Sequence, residues 1–223
     1  MGYNIAIDGP AGAGKSTIAR MVAQELSFIY VDTGAMYRAM AYYLLKQEIN
    51  GNDEEAVSSA CQGADISIVY RDGEQRVILN GEDVTPFLRS EETGKMASLT
   101  SAYSAVRAHL LTLQRNLARD YNVVMDGRDI GTTILPDADA KIYLTAAVET
   151  RAMRRYRELV GKGQDCDFEE IKKDIADRDS HDMNRKVSPL CQAEDAVYLD
   201  SSDMTIDEVK DEILRIFREK AGQ

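Results

Sequence analysis

The stretch Gly9-Pro10-Ala11-Gly12-Ala13-Gly14-Lys15-Ser16 decides how the rest of the chain is read. It follows an apolar run, Tyr3 to Asp8, and opens a helix-like segment, Gly14 to Leu26, so the spacing GxxxxGK[ST] falls between a predicted strand and a predicted helix. Glycines allow a tight turn whose successive N–H groups point inward, and the helix start adds the positive end of its dipole. A polyphosphate is the matching ligand. Lys15 would meet its β- and γ-phosphates, and the Ser16 hydroxyl would hold Mg²⁺, with Thr17 as the alternative. Such a loop predicts a nucleoside triphosphate site and leaves open what the triphosphate is used for.

Working outward, strand and helix signals alternate, the pattern of an α/β fold with a parallel sheet flanked by helices. The β-like runs are Tyr3 to Asp8, Phe28 to Asp32, Asn122 to Asp126, Ala140 to Thr145 and Ala196 to Asp200. They are continuous apolar or β-branched runs, as strands covered on both faces should be. Helix-like segments are Gly14 to Leu26, Ala35 to Gln47, Ala102 to Asp120, Val148 to Val160, Phe168 to Met183 and Thr205 to Glu219. One stretch breaks the alternation: Asp65 to Asn80 reads as a hairpin about an Asp72-Gly73 turn. Asn50-Gly51-Asn52 and Pro86 punctuate its surroundings, so residues 50–100 are expected to form a small α+β insert in a core made of 1–49 and 101–223.

Composition excludes several classes. With 223 residues the chain can bury a full core. A net charge of -11 repels polyanions at long range, so neither nucleic acid nor an anionic membrane is an expected partner. No run approaches the roughly 18 apolar residues of a membrane span. Three cysteines, Cys61, Cys166 and Cys191, contain no CxxC pair; this fits a reducing cytoplasm. A regulatory GTPase would also need NKxD, and the nearest match, Asn184-Arg185-Lys186-Val187, lacks the Asp.

Basic residues are concentrated where an anion could be received. Arg151, Arg154, Arg155 and Arg157 share one window, and Arg178, Asp182 and Arg185 follow at i, i+4 and i+7, a spacing that puts three charges on one helix face. A solvated face or a surface ion-pair ladder would give the same spacings. From Arg151 to Lys186 there are 10 basic and 9 acidic residues, a near-neutral stretch in an acidic chain. If the acceptor is itself a phosphate, two polyanions must meet, and arginine suits that task through its bidentate fork and permanent charge. A phosphomonoester with a second pKa of about 6 is already ionised near neutrality, so no general base is required. His109 and His181 are accordingly read as structural. Two further constellations, Asp32-Thr33-Gly34-Ala35-Met36-Tyr37-Arg38 and Asp126-Gly127-Arg128-Asp129-Ile130-Gly131-Thr132, lie just past strand ends, where open α/β sheets bind ligands. Asp126 fits a carboxylate near Mg²⁺ and a capping or turn role equally.

The loop, DTGAMYR, VVMDGRDIGT, the run Asp177 to Arg185 and the hairpin insert, in this order, make the chain resemble the bacterial cytidylate kinases among the nucleoside monophosphate kinases. The resemblance implies a P-loop core with a five-stranded parallel sheet, a mobile CMP-binding insert and a short lid at about residues 151–166. It implies MgATP-dependent phosphorylation of CMP and dCMP by a cytoplasmic monomer. Arg38 and Arg128 would hold the CMP phosphate; Thr33, Ser98, Arg107, Asp129 and Arg185 would surround the base; Arg178 with Asp182 would meet the ribose. Lys15, Arg128, Arg155 and Arg157 would act on the transferring phosphoryl group, with Arg151 and Arg154 left open by the lid's register. Cytosine chemistry supports the choice separately: a carboxylate such as Asp129 accepts from its exocyclic amine and repels the carbonyl of uracil. The competing readings are a P-loop kinase with another acceptor and an ATP-hydrolysing switch that would need none of Arg38, Arg128 and Arg178.

Overall fold

The computed structural model describes residues 2–71 and 73–222. Its first half runs β1 (Asn4–Asp8), α1 (Lys15–Leu26), β2 (Ile29–Asp32), α2 (Thr33–Lys46), α3 (Glu54–Ala60), β3 (Ile66–Arg71), β4 (Glu74–Leu79) and β5 (Glu82–Asp83). Then come α4 (Glu91–Thr100), α5 (Ser104–Asp120), β6 (Val123–Gly127), β7 (Ala140–Thr145), α6 (Val148–Gly161), α7 (Phe168–Asn184), β8 (Val197–Asp200) and α8 (Ile206–Ala221). The expected strands pair, all parallel, in the order β2-β6-β1-β7-β8.

Both faces of this sheet are covered, which is why its strands read as unbroken apolar runs. Ile5, Ile7 and Val124 face one way, onto Ile18 and Val22 of α1 and Val209, Ile213 and Phe217 of α8. The alternate residues Ala6, Val123 and Met125 face the other way, onto Met36, Met40 and Leu44 of α2 and Val106 and Leu110 of α5. Phe217 meets Tyr3 and Phe28 edge-on at 5.6 and 5.7 Å between ring centroids, closing the bottom of the first layer.

The stretch that breaks the alternation is an antiparallel sheet, β3-β4-β5, with Ile66 opposite Leu79 and Arg71 opposite Glu74. Gly73 has φ 76°, as its turn requires; Asp72 of the expected turn lies outside the described residues. Ile66, Val77 and Leu79 share the apolar layer of α2. The insert is also tied to the sheet's edge. The Gln75 side chain accepts the Asp32 N–H at 2.9 Å and donates to its carbonyl at 3.2 Å, doing for edge strand β2 what a neighbouring strand would do. Tyr70 adds a hydroxyl donated to the Tyr30 carbonyl at 3.1 Å.

Several boundaries differ from the sequence expectation for local reasons. α2 starts at Thr33 rather than Ala35 because the Asp32 carboxyl accepts the Ala35 N–H at 2.9 Å and caps the helix. α5 starts at Ser104 rather than Ala102, since α4, unforeseen in the pattern, ends at Thr100. α7 stops at Asn184 and leaves Arg185 extended, with ψ 144°. Among the described residues no helix is long and apolar enough to cross a membrane.

Phe217 is 1% exposed and bridges a strand-edge tyrosine and the turn after α1. Phe217→Ala should cost about 3–5 kcal/mol in urea-induced unfolding; a cost below about 1 kcal/mol would mean that this layer collapses to fill the gap.

Candidate active site

The carboxyl ends of the central strands bring together the loop and both constellations. In register, Asp8 lies beside Gly127 and Asp32 beside Asp126. Past β1 the chain turns at once: Gly9 has φ 150°, and a Cβ there would stand 1.9 Å from the Leu144 carbonyl oxygen. No other residue fits. Lys15 is buried and its Nζ donates to the Pro10 carbonyl at 2.7 Å. Burial, then the neighbouring Arg128, hold its ammonium well below the usual lysine range, against the pull of Asp126 and Asp8.

Asp126 does not cap or turn the chain. Its two oxygens accept the Ser16 hydroxyl at 2.9 Å and the Tyr30 hydroxyl at 2.8 Å, while its backbone carbonyl accepts the Thr33 hydroxyl at 2.7 Å. Burial, with Asp32 adding to it, pushes its pKa up to about 6. Asp8 carries a structural duty that the sequence did not announce. Its carboxyl accepts the N–H groups of Ile130 and Gly131 at 2.8 and 2.7 Å and so suspends the turn that presents Arg128 and Asp129. Burial raises its pKa to about 6.

Arg128 and Arg178 come together beside Lys15, with Arg38 half-buried next to them. The expected Arg178–Asp182 pairing along the helix needs correction. Asp182 Oδ2 instead accepts from Arg128 Nε at 2.7 Å, an ion pair made across 54 residues of chain. Burial pushes Asp182 up, but Arg128, ahead of Arg178 and Arg185, more than offsets it, so its carboxyl lies below the usual range. Arg178 Nε is buried without a hydrogen-bond partner among the described residues. Burial, then Arg128, lower the Arg178 guanidinium to about 10. Arg178 Nε is thus a buried donor, among neighbouring cations, that could still be shared with an anion.

A second group sits deeper. Asp129, 3% exposed, is clasped by Arg107 on one oxygen and by Arg185 Nη2 at 3.4 Å on the other. Arg107 also donates to the Ser101 carbonyl at 3.2 Å, and its guanidinium lies 5.5 Å from the centre of the Tyr37 ring. Arg185 is not the third member of a helix face. It lies past the end of α7, where Nε donates to the Ser188 carbonyl at 2.6 Å and the head reaches back to Asp129. Ser98, half-buried on α4, donates no side-chain bond here; its carbonyl accepts the Ser101 hydroxyl at 3.0 Å. Thr33 keeps acceptor lone pairs free after its bond to Asp126.

The four arginines of α6 divide. Arg151 is 4% exposed and donates to the carbonyls of Ala11 and Ala146 at 2.8 Å each; Arg154 donates to the Ser201 carbonyl at 2.7 Å. Arg151 is anchored in the core, while Arg154 is half-buried at the edge of the groove and tied to Ser201. Arg155 and Arg157 are exposed. Arg155 follows Arg151 by one turn and pairs with Glu158 at 2.8 Å, whereas Arg157 lines a surface groove with Glu149, Met153 and Ser202. His109 bonds the Ala64 carbonyl at 2.7 Å, and His181 is exposed on α7. Sequence reasoning missed Asp8, Tyr30 and Asp179 because their partners lie more than 90 residues away. The one available signal was an Asp closing each of several strands.

The family model described as Cytidylate kinase matches residues 5–219. A cytidylate kinase of Ligilactobacillus salivarius is 50% identical over 97% of this chain and 96% of its own length. One from a Geobacillus species is 48% identical over 98% and 97%. Among solved structures, a shikimate kinase from Acinetobacter baumannii in complex with shikimate superimposes with a TM-score of 0.51 at 16% identity, covering 100% of this chain and 97% of that one. At that identity it shows the fold alone: a P-loop kinase sheet, here with an antiparallel insert.

The raised Asp8 pKa makes a testable statement about stability. From about pH 4 to 6 the folded protein keeps a proton on Asp8 that the unfolded chain has released. Its contribution to stability is thus full at low pH and lost as pH rises through about 6. Stability of the parent relative to Asp8→Asn, from urea midpoints, should fall by roughly 2–4 kcal/mol between pH 4 and 7; a pH-independent difference would show the carboxyl charged throughout.

Proposed function

The chain belongs to the cytidylate kinase family, and on that premise we propose that it transfers the γ-phosphoryl group of MgATP to CMP or dCMP, giving ADP and CDP or dCDP. The observation that carries this reading is a cluster of cations: Arg38, Arg128 and Arg178 gather beside Lys15, with one buried guanidinium nitrogen unpaired among the described residues. A hydrolase of ATP alone has no use for them. A transferase whose acceptor is a phosphate needs them to bring two anions together.

The donor end is the loop Gly9 to Thr17, with Lys15 on the outer phosphates. Ser16 and Asp126 would hold Mg²⁺: a hydroxyl and a carboxylate already in contact at 2.9 Å are the hard oxygen donors this ion takes. When bound, Mg²⁺ would supply positive charge to the triphosphate. On the acceptor side, Arg38 and Arg128 take the CMP phosphate, Arg178 and Asp182 the ribose, and Thr33, Ser98, Arg107, Asp129 and Arg185 the base. Asp129 retains lone pairs beyond its two arginine contacts, enough to accept from the cytosine amine. Arg155 and Arg157 close over the transferring group, Arg155 being the better placed because it continues the loop-facing side of α6. The acceptor oxygen is ionised near neutrality, so the side chains orient and neutralise rather than abstract a proton.

In this reading residues 1–49 and 101–223 form the core, 151–166 the lid and 50–100 the CMP-binding insert. The protein works in the cytoplasm as a monomer, in pyrimidine nucleotide metabolism, without nucleic acid or membrane partners, as its charge of -11 favours.

ADP release from MgATP should be fastest with CMP and dCMP in a panel of nucleoside monophosphates; equal rates without any acceptor would overturn the reading. Asp129→Asn, which offers uracil a donor, should narrow the CMP-over-UMP ratio of kcat/KM about tenfold or more. An unchanged ratio removes Asp129 from base reading.

A further inference from the structure

The Ala11 peptide, in the middle of the phosphate loop, is gripped from both sides. Asp179 of α7 accepts its N–H at 3.1 Å, and Arg151 of α6 donates to its carbonyl at 2.8 Å. The two side chains meet each other at 2.6 Å, and Arg151 is braced from behind by the Ala146 carbonyl at 2.8 Å. At 4% and 7% exposure, both lie out of water. Gly12, with φ 74°, packs into the same corner: a Cβ there would stand 3.4 Å from Arg151 Cβ and 3.8 Å from Ile175 Cδ1.

A loop rich in glycine has many shapes open to it, and only one aims its N–H groups at a phosphate. Fixing that shape beforehand removes an ordering cost from nucleotide binding. An ion pair can do so without adding net charge beside the triphosphate, and its buried position keeps it stiff. The Ala11 N–H is thereby withdrawn from the phosphate cradle and spent on the clamp.

We propose that Arg151 and Asp179 act as one positioning pair that presets the phosphate loop for the donor nucleotide, an inference that rests on the kinase reading above. Arg151 is on this account no phosphate-contacting lid arginine. The pair touches neither substrate; it acts through the Ala11 peptide.

The test is calorimetric titration with MgADP, together with steady-state kinetics, on Arg151→Met, Arg151→Lys, Asp179→Asn and the double variant Arg151→Met with Asp179→Asn. Each single loss should weaken MgADP binding and raise KM for MgATP about tenfold, with KM for CMP changed less than about twofold. Lys at 151 should recover part of the loss, and the double variant should bind no more weakly than the weaker single one. Variants that melt cooperatively but bind MgADP within twofold of the parent would overturn the proposal, as would equal rises in both KM values. Asp179→Asn is nearly isosteric and carries the test alone if the Arg151 variants fail to fold. A parent protein that binds MgADP but does not phosphorylate CMP would sink the functional reading and leave the clamp to be judged by the titration.

Discussion

Lys15, Arg128 and Arg178 are held within electrostatic reach of one another, with Arg38 beside them, the lysine buried and the arginines half-buried. Such a cluster is uphill on its own: burial and mutual repulsion depress both Lys15 and Arg178. The fold tolerates it by partial compensation. Asp182 neutralises Arg128, and the Pro10 carbonyl caps Lys15. In the proposed reading, what is left uncompensated, including the Arg178 Nε that has no partner among the described residues, is what draws in a phosphate.

In the proposed reading, the donor and acceptor ends share a single anchor. Asp8 ends the strand that leads into the phosphate loop, and the same carboxyl holds the backbone of Ile130 and Gly131. Arg128 and Asp129, which immediately precede them, are therefore placed relative to Gly9 rather than to a distant part of the sheet. α7 links the two sides again: Asp179 grips the loop, while Arg178 and Asp182 belong to the cation cluster. A reaction that depends on distance between two phosphates is served by short, buried connections of this kind.

Much of the fold was legible because its signals are local. Apolar runs ending in Asp marked the parallel strands, and a loop with the right flanks located the donor end. The hairpin, too, followed from alternation of Ile66, Ile68 and Tyr70 against Val77 and Leu79. α3 and α4 escaped because they are short and carry weak periodicity inside the insert. For the site, residue types were readable and partners were not. Arg178, Asp182 and Arg185 sit at helical spacing, yet the helix ends before Arg185, and Asp182 turns to Arg128 instead of its helical neighbour. Four arginines in one window look alike in sequence, but burial separates two anchors from two exposed groups.

Sequence alone determined the chemistry on offer here: a phosphate-binding loop, a supply of arginines in an acidic chain, and acids at strand ends where ligands bind. These depend on residue type and on spacings within one turn or one strand, which the backbone translates directly into geometry. Tertiary structure decided which charge meets which. Asp8 with Ile130, Asp179 with Ala11 and Arg107 with Asp129 are joined only when helices pack on the sheet. An ion pair's strength is set by separation and by exclusion of water, and neither quantity exists until the chain has folded.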